Sequence, residues 1–161
     1  MAIASETRGI VLRLERRFAA SRERVFEAWT TPEALKQWWC PPGWQPDRIE
    51  VDLRVGGAYH LAMRRTSDGS TAAVQGRFVE VRRPERLVYT WQWTGGLADM
   101  SESRVTVEFL DEHGDTRLTL THERLPDIPL WHRHRTGWIA ACDRMEDVLS
   151  PVSSRVRSVV G

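Results

Sequence analysis

The sequence predicts an α+β domain in which a curved antiparallel sheet of six to seven strands packs around one long C-terminal helix. Apolar residues recur at helical spacing from residue 130 to residue 149. Upstream, between residues 49 and 123, apolar and polar residues alternate with the period of a strand. Clusters of Gly, Asp and Pro separate these segments by the short distances that antiparallel turns need. A sheet with one apolar face must be covered, and only the last helix is long enough to cover it.

The first part of the chain is predicted to form a strand and then a short helix. Residues 9–18 alternate well enough for the first strand. Ser21 is a suitable N-cap for a helix that carries Val25, Phe26 and Trp29 on one face. We expect that face to be buried against the sheet.

A second short helix is predicted to follow at once. Thr31 is a good N-cap, Pro32 suits the first helical position and Glu33 complements the positive end of the helix dipole. The helix should end before the Pro-Pro-Gly sequence at 41–43, because proline cannot donate to a helical ladder. Residues 40–46 are therefore predicted to form a loop.

Six strands are predicted between that loop and the last helix. They span residues 49–53, 58–65, 74–81, 87–93, 104–110 and 116–123. Bulky side chains share one face of the fourth of these strands, namely Leu87, Tyr89, Trp91 and Trp93. On the sixth, His122 shares a face with Leu118 and Leu120. These faces should point towards the last helix.

The last helix is the clearest element of the sequence. A narrow stripe at helical spacing contains Trp131, Arg135, Trp138, Cys142, Met145 and Leu149. The opposite face should be exposed to solvent and contains Arg133, Thr136, Ala140, Asp143, Arg144 and Asp147. We expect a single domain over residues 1–150 and a frayed tail over residues 151–161.

Composition narrows the class of protein. The chain has 23 basic and 22 acidic residues, a balance that gives no support to a nucleic-acid or anionic-membrane partner. Cys40 and Cys142 form no CxxC motif, which fits a reducing compartment. The N-terminus has no apolar signal region, and no run approaches the roughly 18 apolar residues of a membrane span. We therefore expect a cytoplasmic protein.

Several short segments occur together in an order that is more specific than any one of them. They are WW at 38–39 with PGW at 42–44, DLRVGGAY at 52–59, GRFVEV at 76–81 leading to PERLVYTW at 84–91, TRLTLTH at 116–122, and GW at 137–138. In these segments the chain resembles the START-related SRPBCC, or helix-grip, superfamily. More narrowly, it is similar to bacterial proteins that resemble the C-terminal domain of the activator of the heat-shock-protein-90 ATPase.

This resemblance implies a helix-grip fold with a cavity between the sheet and the last helix. Members of the broad superfamily bind lipids, sterols and hormones, or cyclise polyketides, so the resemblance does not imply one activity. The co-chaperone itself has a separate N-terminal domain that engages the chaperone. A chain of 161 residues has no room for that domain, which argues against co-chaperone activity.

The sequence offers no recognised catalytic motif, since GxSxG, GxxxxGK[ST], HExxH and GxGxxG are all absent. We therefore predict no catalytic residue, no metal site and no cofactor.

His122 lies on an apolar strand face, where it is either a general base in a pocket or, more commonly, a satisfied core histidine. His132 and His134 project about 200° apart on a helix, which suits chelation poorly. We expect both in a solvated first turn.

Arg135 is the most unusual residue of the apolar stripe. Burial of an unpaired guanidinium is very costly, so Arg135 should reach the cavity or its mouth and meet a carboxylate. Glu80, which shares the strand face of Phe78 by alternation, is the predicted partner. Two interpretations remain open: a structural ion pair, or a clamp for an anionic or carbonyl group of a ligand.

The predicted cavity residues are Tyr59, Phe78, Glu80, Tyr89, Trp91, Trp93, Val107, His122, Arg135, Trp138 and Cys142. The first hypothesis is a protein that binds a small, largely apolar ligand, lipid-like or aromatic. The second is an enzyme of polyketide-cyclase or dehydratase type, in which His122, Glu80 or Arg135 positions a water or an enolate. The third is a module that interacts with a chaperone or another protein. A homodimer is also left open.

Overall fold

Seven strands form one antiparallel sheet that curves around a long C-terminal helix, and two short helices follow the first strand. The computed structural model describes residues 9–95 and 101–150. The strands are β1 (Ile10–Phe18), β2 (Trp44–Val51), β3 (Ala58–Arg65), β4 (Thr71–Arg82), β5 (Arg86–Gly95), β6 (Ser103–Glu112) and β7 (Asp115–Leu125), and the helices are α1 (Arg22–Thr30), α2 (Pro32–Trp38) and α3 (Ile128–Leu149). This confirms the predicted α+β helix-grip fold. Across the two described ranges, no helix combines the length and apolarity that a membrane crossing requires.

The strand order in the sheet is β1-β7-β6-β5-β4-β3-β2. From β2 to β7 each strand pairs antiparallel with the next along the chain, so short connections suffice. The first strand instead pairs with β7 at the far edge. Helices α1 and α2 therefore carry the chain from one edge of the sheet to the other, and they lie beside α3 on the way.

The prediction for the start of β2 was wrong. Residues 40–46 were expected to form a loop, whereas β2 already begins at Trp44. Pro46 is tolerated because β2 is the outermost strand, where a missing N–H need not cost a ladder bond. The pairing of β2 with β3 also shifts between Pro46 and Ile49, which places the irregularity beside the proline.

Helices α1 and α2 pack as their sequence predicts, although only one of them has the expected cap. The Ser21 hydroxyl accepts a hydrogen bond from the Arg24 N–H at 3.3 Å and caps α1. Thr31 occupies the N-cap position of α2, but its hydroxyl instead donates to the Glu27 carbonyl of the preceding helix at 3.0 Å. That bond joins the end of α1 to the start of α2.

Helix α3 starts at Ile128, and the Asp127 side chain accepts a hydrogen bond from the Leu130 N–H at 2.9 Å. The helix continues through Gly137 without a break. Its buried residues are His134, Trp138, Ala141, Cys142, Met145 and Leu149. The buried stripe thus includes His134 and not Arg135. Relative to Trp138, a residue four positions earlier lies about 40° away around the axis, and one three positions earlier about 60° away. His134 is therefore nearer the centre of the stripe.

Candidate functional site

A cavity of about 340 Å³ lies beside α3, where the helix faces the ends of β3 and β5 and the segment leading from α2 into β2. Five tryptophans contribute to its wall: Trp39, Trp44, Trp91, Trp93 and Trp138. The other lining residues are Pro41, Met63, Arg65, Leu130, Arg133, His134, Gly137, Ala140, Ala141 and Arg144. The cavity is therefore largely apolar and rich in tryptophan, with cationic side chains and no acidic side chain among the described residues that line it.

A second stripe of α3 forms one wall of this cavity. It runs along the flank of the buried stripe, at intervals of three or four residues, and consists of Leu130, Arg133, Gly137, Ala140 and Arg144. A Cβ atom placed on Gly137 would meet nothing within 4 Å. Small residues in the middle of the stripe therefore leave the space that the cavity occupies. Of the residues predicted on the exposed face of α3, Arg133 is exposed, whereas Ala140 and Arg144 are half-buried, and all three border this cavity.

The tryptophans support each other across the cavity wall. Trp39 stacks on Trp93 with 6.1 Å between ring centroids and an angle of 28°. Trp91 contacts Trp93 edge-on at 5.8 Å and Trp138 at 5.0 Å. Such aromatic pairs stabilise each other by about 0.5–1.5 kcal/mol beyond the burial of their surface. The wall is thus a packed aromatic layer shared between the sheet, the helix and the segment after α2.

His122 lies behind this wall in a chain of buried hydrogen bonds. The indole N–H of Trp138 donates to its Nδ1 at 3.1 Å. Because Nδ1 accepts, a neutral ring carries its proton on Nε2 and donates it to the Ser103 hydroxyl, 2.8 Å away. Ser103 in turn donates to the Trp91 carbonyl at 3.1 Å. His122 thereby fixes Trp138 against the sheet, but it does not line the cavity.

His134 lines the cavity, and both of its ring nitrogens are engaged. Its Nε2 accepts a hydrogen bond from the indole of Trp93 at 3.1 Å. Its Nδ1 lies 2.8 Å from the Leu130 carbonyl, so that nitrogen carries the proton and donates it. The rings of His122 and His134 stand perpendicular, with 5.0 Å between their centroids. Two indoles therefore select the tautomers of two neighbouring histidines.

Both histidines are held in the neutral form. Burial lowers the pKa of His122 well below its ordinary value, and the neighbouring His134 lowers it further. Burial also lowers the pKa of His134, with a further contribution from Arg133, although the hydrogen bond to Leu130 acts in the opposite direction. Protonation would also place an N–H where each ring now accepts a bond from an indole. The pair should consequently favour folding at neutral pH.

We expect the melting temperature to fall as the pH is lowered from 7.5 to 5.5. Unfolded histidines take up protons near pH 6.5, whereas these two stay neutral when folded, so the unfolded state binds more protons below that pH. The stabilisation is fully present above about pH 6.5 and is lost as the pH falls towards the folded pKa values.

The measurement is a series of thermal melts at constant ionic strength on the wild type and on a variant with both His122→Gln and His134→Gln. The variant should be less stable at pH 7.5 and should lose less stability on acidification. An equal pH dependence for the two proteins would show that other groups control it.

The predicted ion pair between Arg135 and Glu80 is not formed. Arg135 is exposed on α3. Nε of Arg86 donates to a Glu80 carboxylate oxygen at 3.3 Å, and Nη1 of Arg82 lies 3.6 Å from the other oxygen. The reason for the error lies in β4, whose pairing with β5 shifts between Phe78 and Glu80. The extra residue in this bulge reverses the alternation, so Glu80 no longer shares the face of Phe78.

One known protein family matches most of the chain. The model of the family described as "Activator of Hsp90 ATPase homolog 1-like protein" matches residues 19–150. The chain belongs to this family. The match includes all of α1, α2, α3 and β2 to β7, and therefore every residue that lines the cavity of this AHSA1-like domain. A search of curated proteins found no match.

Solved structures share the AHSA1-like fold over most of its length. Protein CV1439 from Chromobacterium violaceum is 29% identical, with a TM-score of 0.79, and the match covers 88% of this chain and 97% of that one. The AHSA1 (SPO3351) protein from Silicibacter pomeroyi is also 29% identical, with a TM-score of 0.76 and coverage of 87% and 97%. CalU16 from Micromonospora echinospora, at 24% identity, TM-score 0.66 and coverage of 91% and 80%, shares the fold alone.

The residues predicted from the sequence to line a cavity fall into three groups in the AHSA1-like domain. Trp91, Trp93 and Trp138 line the cavity beside α3. Tyr59, Phe78 and Tyr89, together with Trp91 and Trp138, line a smaller inner space of about 30 Å³ deeper in the core. The remainder line neither space, namely Glu80, Val107, His122, Arg135 and Cys142. Burial raises the pKa of the Cys142 thiol to about 11, so this residue is a neutral core side chain.

Two important residues were missed although the sequence contained a signal for each. Ser103 continues the alternation of Val105 and Val107 backwards by one step, which places its hydroxyl on the inner face. The expectation that His134 lies in a solvated first turn was wrong, because it precedes Trp138 by four residues, the separation of neighbours on one helical face, and is buried with it. Trp44 carried no such signal, because its position depends on the edge strand β2, which was expected to be a loop.

Proposed function

We propose that this AHSA1-like protein binds a small, largely apolar molecule, aromatic or lipid-like, in the cavity beside α3. The observation that carries the proposal is the wall of five tryptophans around a space of about 340 Å³. Ligand pockets commonly have volumes of about 300–1,000 Å³ and are lined mainly by apolar and aromatic groups. Aromatic faces also stack well on planar ligands.

A second open space, of about 390 Å³, fits this function less well. It lies on the outer face of the sheet and is lined largely by polar side chains, including His60, Gln75, Arg77 and Gln92. Polar side chains at an open surface keep their hydration, so burial of an apolar molecule there brings little gain. The cavity beside α3 is therefore the better candidate.

The cyclase or dehydratase alternative has less support, because neither buried histidine has a free nitrogen that faces the cavity. Ser103 and His122 are in hydrogen-bond contact, as in a nucleophilic pair, but both are fully buried. His134 faces the cavity with both nitrogens already bonded within the protein. A general base needs an unoccupied lone pair within reach of the substrate.

The chaperone-interaction alternative calls for a broad exposed apolar patch. The large exposed apolar residues of the described ranges belong to different parts of the fold: Val11, Val55, Val79, Leu110 and Ile128. Scattered single apolar residues are normal on protein surfaces. This alternative consequently has no observation of its own in its favour.

Binding in the cavity is tested with Gly137→Phe. The added ring should fill space that a ligand needs, and we expect the affinity for a neutral apolar probe, 2-naphthamide, to fall about tenfold or more. Isothermal titration calorimetry measures the affinity, and native mass spectrometry of the freshly purified wild type tests for a co-purified molecule.

Two matched variants control this experiment. Gly137→Ala adds only a methyl group and should preserve binding, while it raises the free energy of unfolding by about 0.5–1 kcal/mol. Thr136→Phe adds the same ring one residue away, at an exposed position outside the cavity. Wild-type affinity in Gly137→Phe, or no measurable binding by the wild type of either the amide or the acid of the same shape, 2-naphthoate, would contradict the proposal.

A further inference from the structure

Arg144 lies in the wall of the cavity, where its half-buried guanidinium is held in place by main-chain atoms of the protein. Its Nε donates to the Trp38 carbonyl at 2.8 Å, and its Nη2 donates to the Trp39 carbonyl at 3.2 Å. These carbonyls lie at the C-terminal end of α2, where main-chain oxygens lack helical partners and the helix dipole is negative. The side chain of Arg144 is therefore fixed before any ligand arrives.

No carboxylate forms a direct ion pair with Arg144 within the described ranges, and the charge of the neighbouring Asp143 acts on it only at longer range. Within the described ranges, no acidic oxygen lies within 4.0 Å of its nitrogens, whereas Arg16 pairs with both Asp143 and Glu146 close by on the same helix. Burial lowers the pKa of Arg144, as expected for a guanidinium that has lost part of its hydration. A guanidinium has five N–H groups, and the two carbonyls use only two of them. The remaining donors are available to an anion.

The other arginines that line the cavity, Arg65 and Arg133, are less suited than Arg144 to bind an anionic group of a ligand. Arg65 is already paired with Asp68 at 3.2 Å and lies over the ring of Trp44 at 4.9 Å. Arg133 is exposed. It lies eleven residues before Arg144, which is about 16 Å along the helix axis. Arg144 is the cation that is both desolvated and held in place.

We infer that the ligand of this cavity carries an anionic group, of the carboxylate class, that ion-pairs with Arg144 while its apolar body packs against the tryptophans. This inference rests on the proposed function, that is, on the cavity binding an apolar molecule at all. Arginine binds carboxylates through paired N–H donors, and such charge-assisted bonds are about twice as strong as neutral ones. The aromatic wall supplies the apolar contact, and Arg144 selects among apolar molecules for acids.

The test compares two probes of the same shape, 2-naphthoate and 2-naphthamide, by calorimetric titration into the full chain at pH 7.5. The wild type should bind the acid about ten- to a hundredfold more tightly than the amide. Arg144→Gln should bring that ratio close to one and change the affinity for the amide by less than about threefold. Arg144→Lys, which keeps the charge but loses the planar fork, should give an intermediate ratio.

Arg135→Gln is the matched control, because it removes the same charge from an exposed position on the same helix outside the cavity. It should keep the wild-type ratio. Equal affinities for acid and amide in the wild type would overturn the inference and leave the proposed function standing. Loss of the ratio in Arg133→Gln in place of Arg144→Gln would overturn the assignment to Arg144. If neither probe binds the wild type, the proposed function fails and the inference fails with it.

Circular dichroism and a thermal melt establish whether each variant is folded, since Arg144 also binds the end of α2. Should Arg144→Gln fail to fold, the comparison of probes on the wild type and on Arg144→Lys still decides the outcome. The ratio of the affinities for acid and amide could then be equally high in Arg144→Lys and the wild type. That result would show that charge alone selects the acid, and it would overturn binding through the paired donors of the guanidinium.

Discussion

Trp138→Ala should lower the free energy of unfolding by about 3–5 kcal/mol. The side chain is only 5% exposed, stacks on Trp29 with 5.9 Å between centroids and contacts Trp91 at 5.0 Å. Its loss would open a void between α3 and the sheet and would leave Nδ1 of His122 without a donor. Urea denaturation, with the midpoint and the slope fitted together, measures the effect.

Trp138→Phe separates the two contributions, since it keeps an aromatic ring and removes the indole N–H. We expect it to cost less than Trp138→Ala, with the residual cost coming from the unsatisfied nitrogen of His122 and from the smaller ring. A loss below about 1 kcal/mol in Trp138→Ala would mean that Trp138 is peripheral to the core.

Gly76→Ala should lower the free energy of unfolding by about 3 kcal/mol or more, although it adds one methyl group to a strand. A Cβ atom at this position would lie 2.1 Å from the Thr90 carbonyl oxygen and 2.7 Å from the carbonyl carbon and the hydroxyl of the same residue. The same carbonyl accepts a hydrogen bond from the hydroxyl of Tyr59, and the Thr90 hydroxyl accepts one from the Arg77 N–H at 2.9 Å. The obstructing atoms are largely main chain, so relief requires the separation of β4 from β5.

The comparison variant is Gly137→Ala, in which the same methyl group meets nothing within 4 Å. The two variants should change stability in opposite directions, with Gly137→Ala slightly stabilising. Denaturation curves of both proteins under the same conditions give the contrast. A Gly76→Ala variant as stable as the wild type would show that the strands adjust locally to the added methyl group.

The fold could be predicted because its determinants repeat along the sequence. Alternation identifies the strands, spacing identifies α3, and turn residues show that the strands are antiparallel. The residues that line the cavity could be predicted only in part. A shift of one residue along a helix or strand decides whether a given side chain faces inwards. The predicted stripe of α3 took in Arg135 where His134 is buried, and on β4 one bulged residue moved Glu80 away from the inner face.

Errors of this kind have a physical origin. A helical stripe about 100° wide accepts residues at its margin on either side, so hydrophobicity alone does not decide between adjacent polar residues. A bulge adds one residue to a strand, and although Gly76 is of a residue type that often accompanies bulges, the sequence of 76–81 does not show where the extra residue falls. The space itself depends on side chains that are small, such as Gly137 and Ala140, and small residues carry little periodic signal.

The buried stripe and the flanking stripe of α3 differ in how well they tolerate amino-acid substitution. Residues of the buried stripe hold the helix on the sheet, so a change there alters the folded state itself. Residues of the flanking stripe, such as Arg133, Gly137 and Ala140, border open space, so they can be exchanged with little loss of packing. Under the proposed function, ligand preference can therefore drift among related sequences while the scaffold stays constant, and relatives with the same fold need not share a ligand.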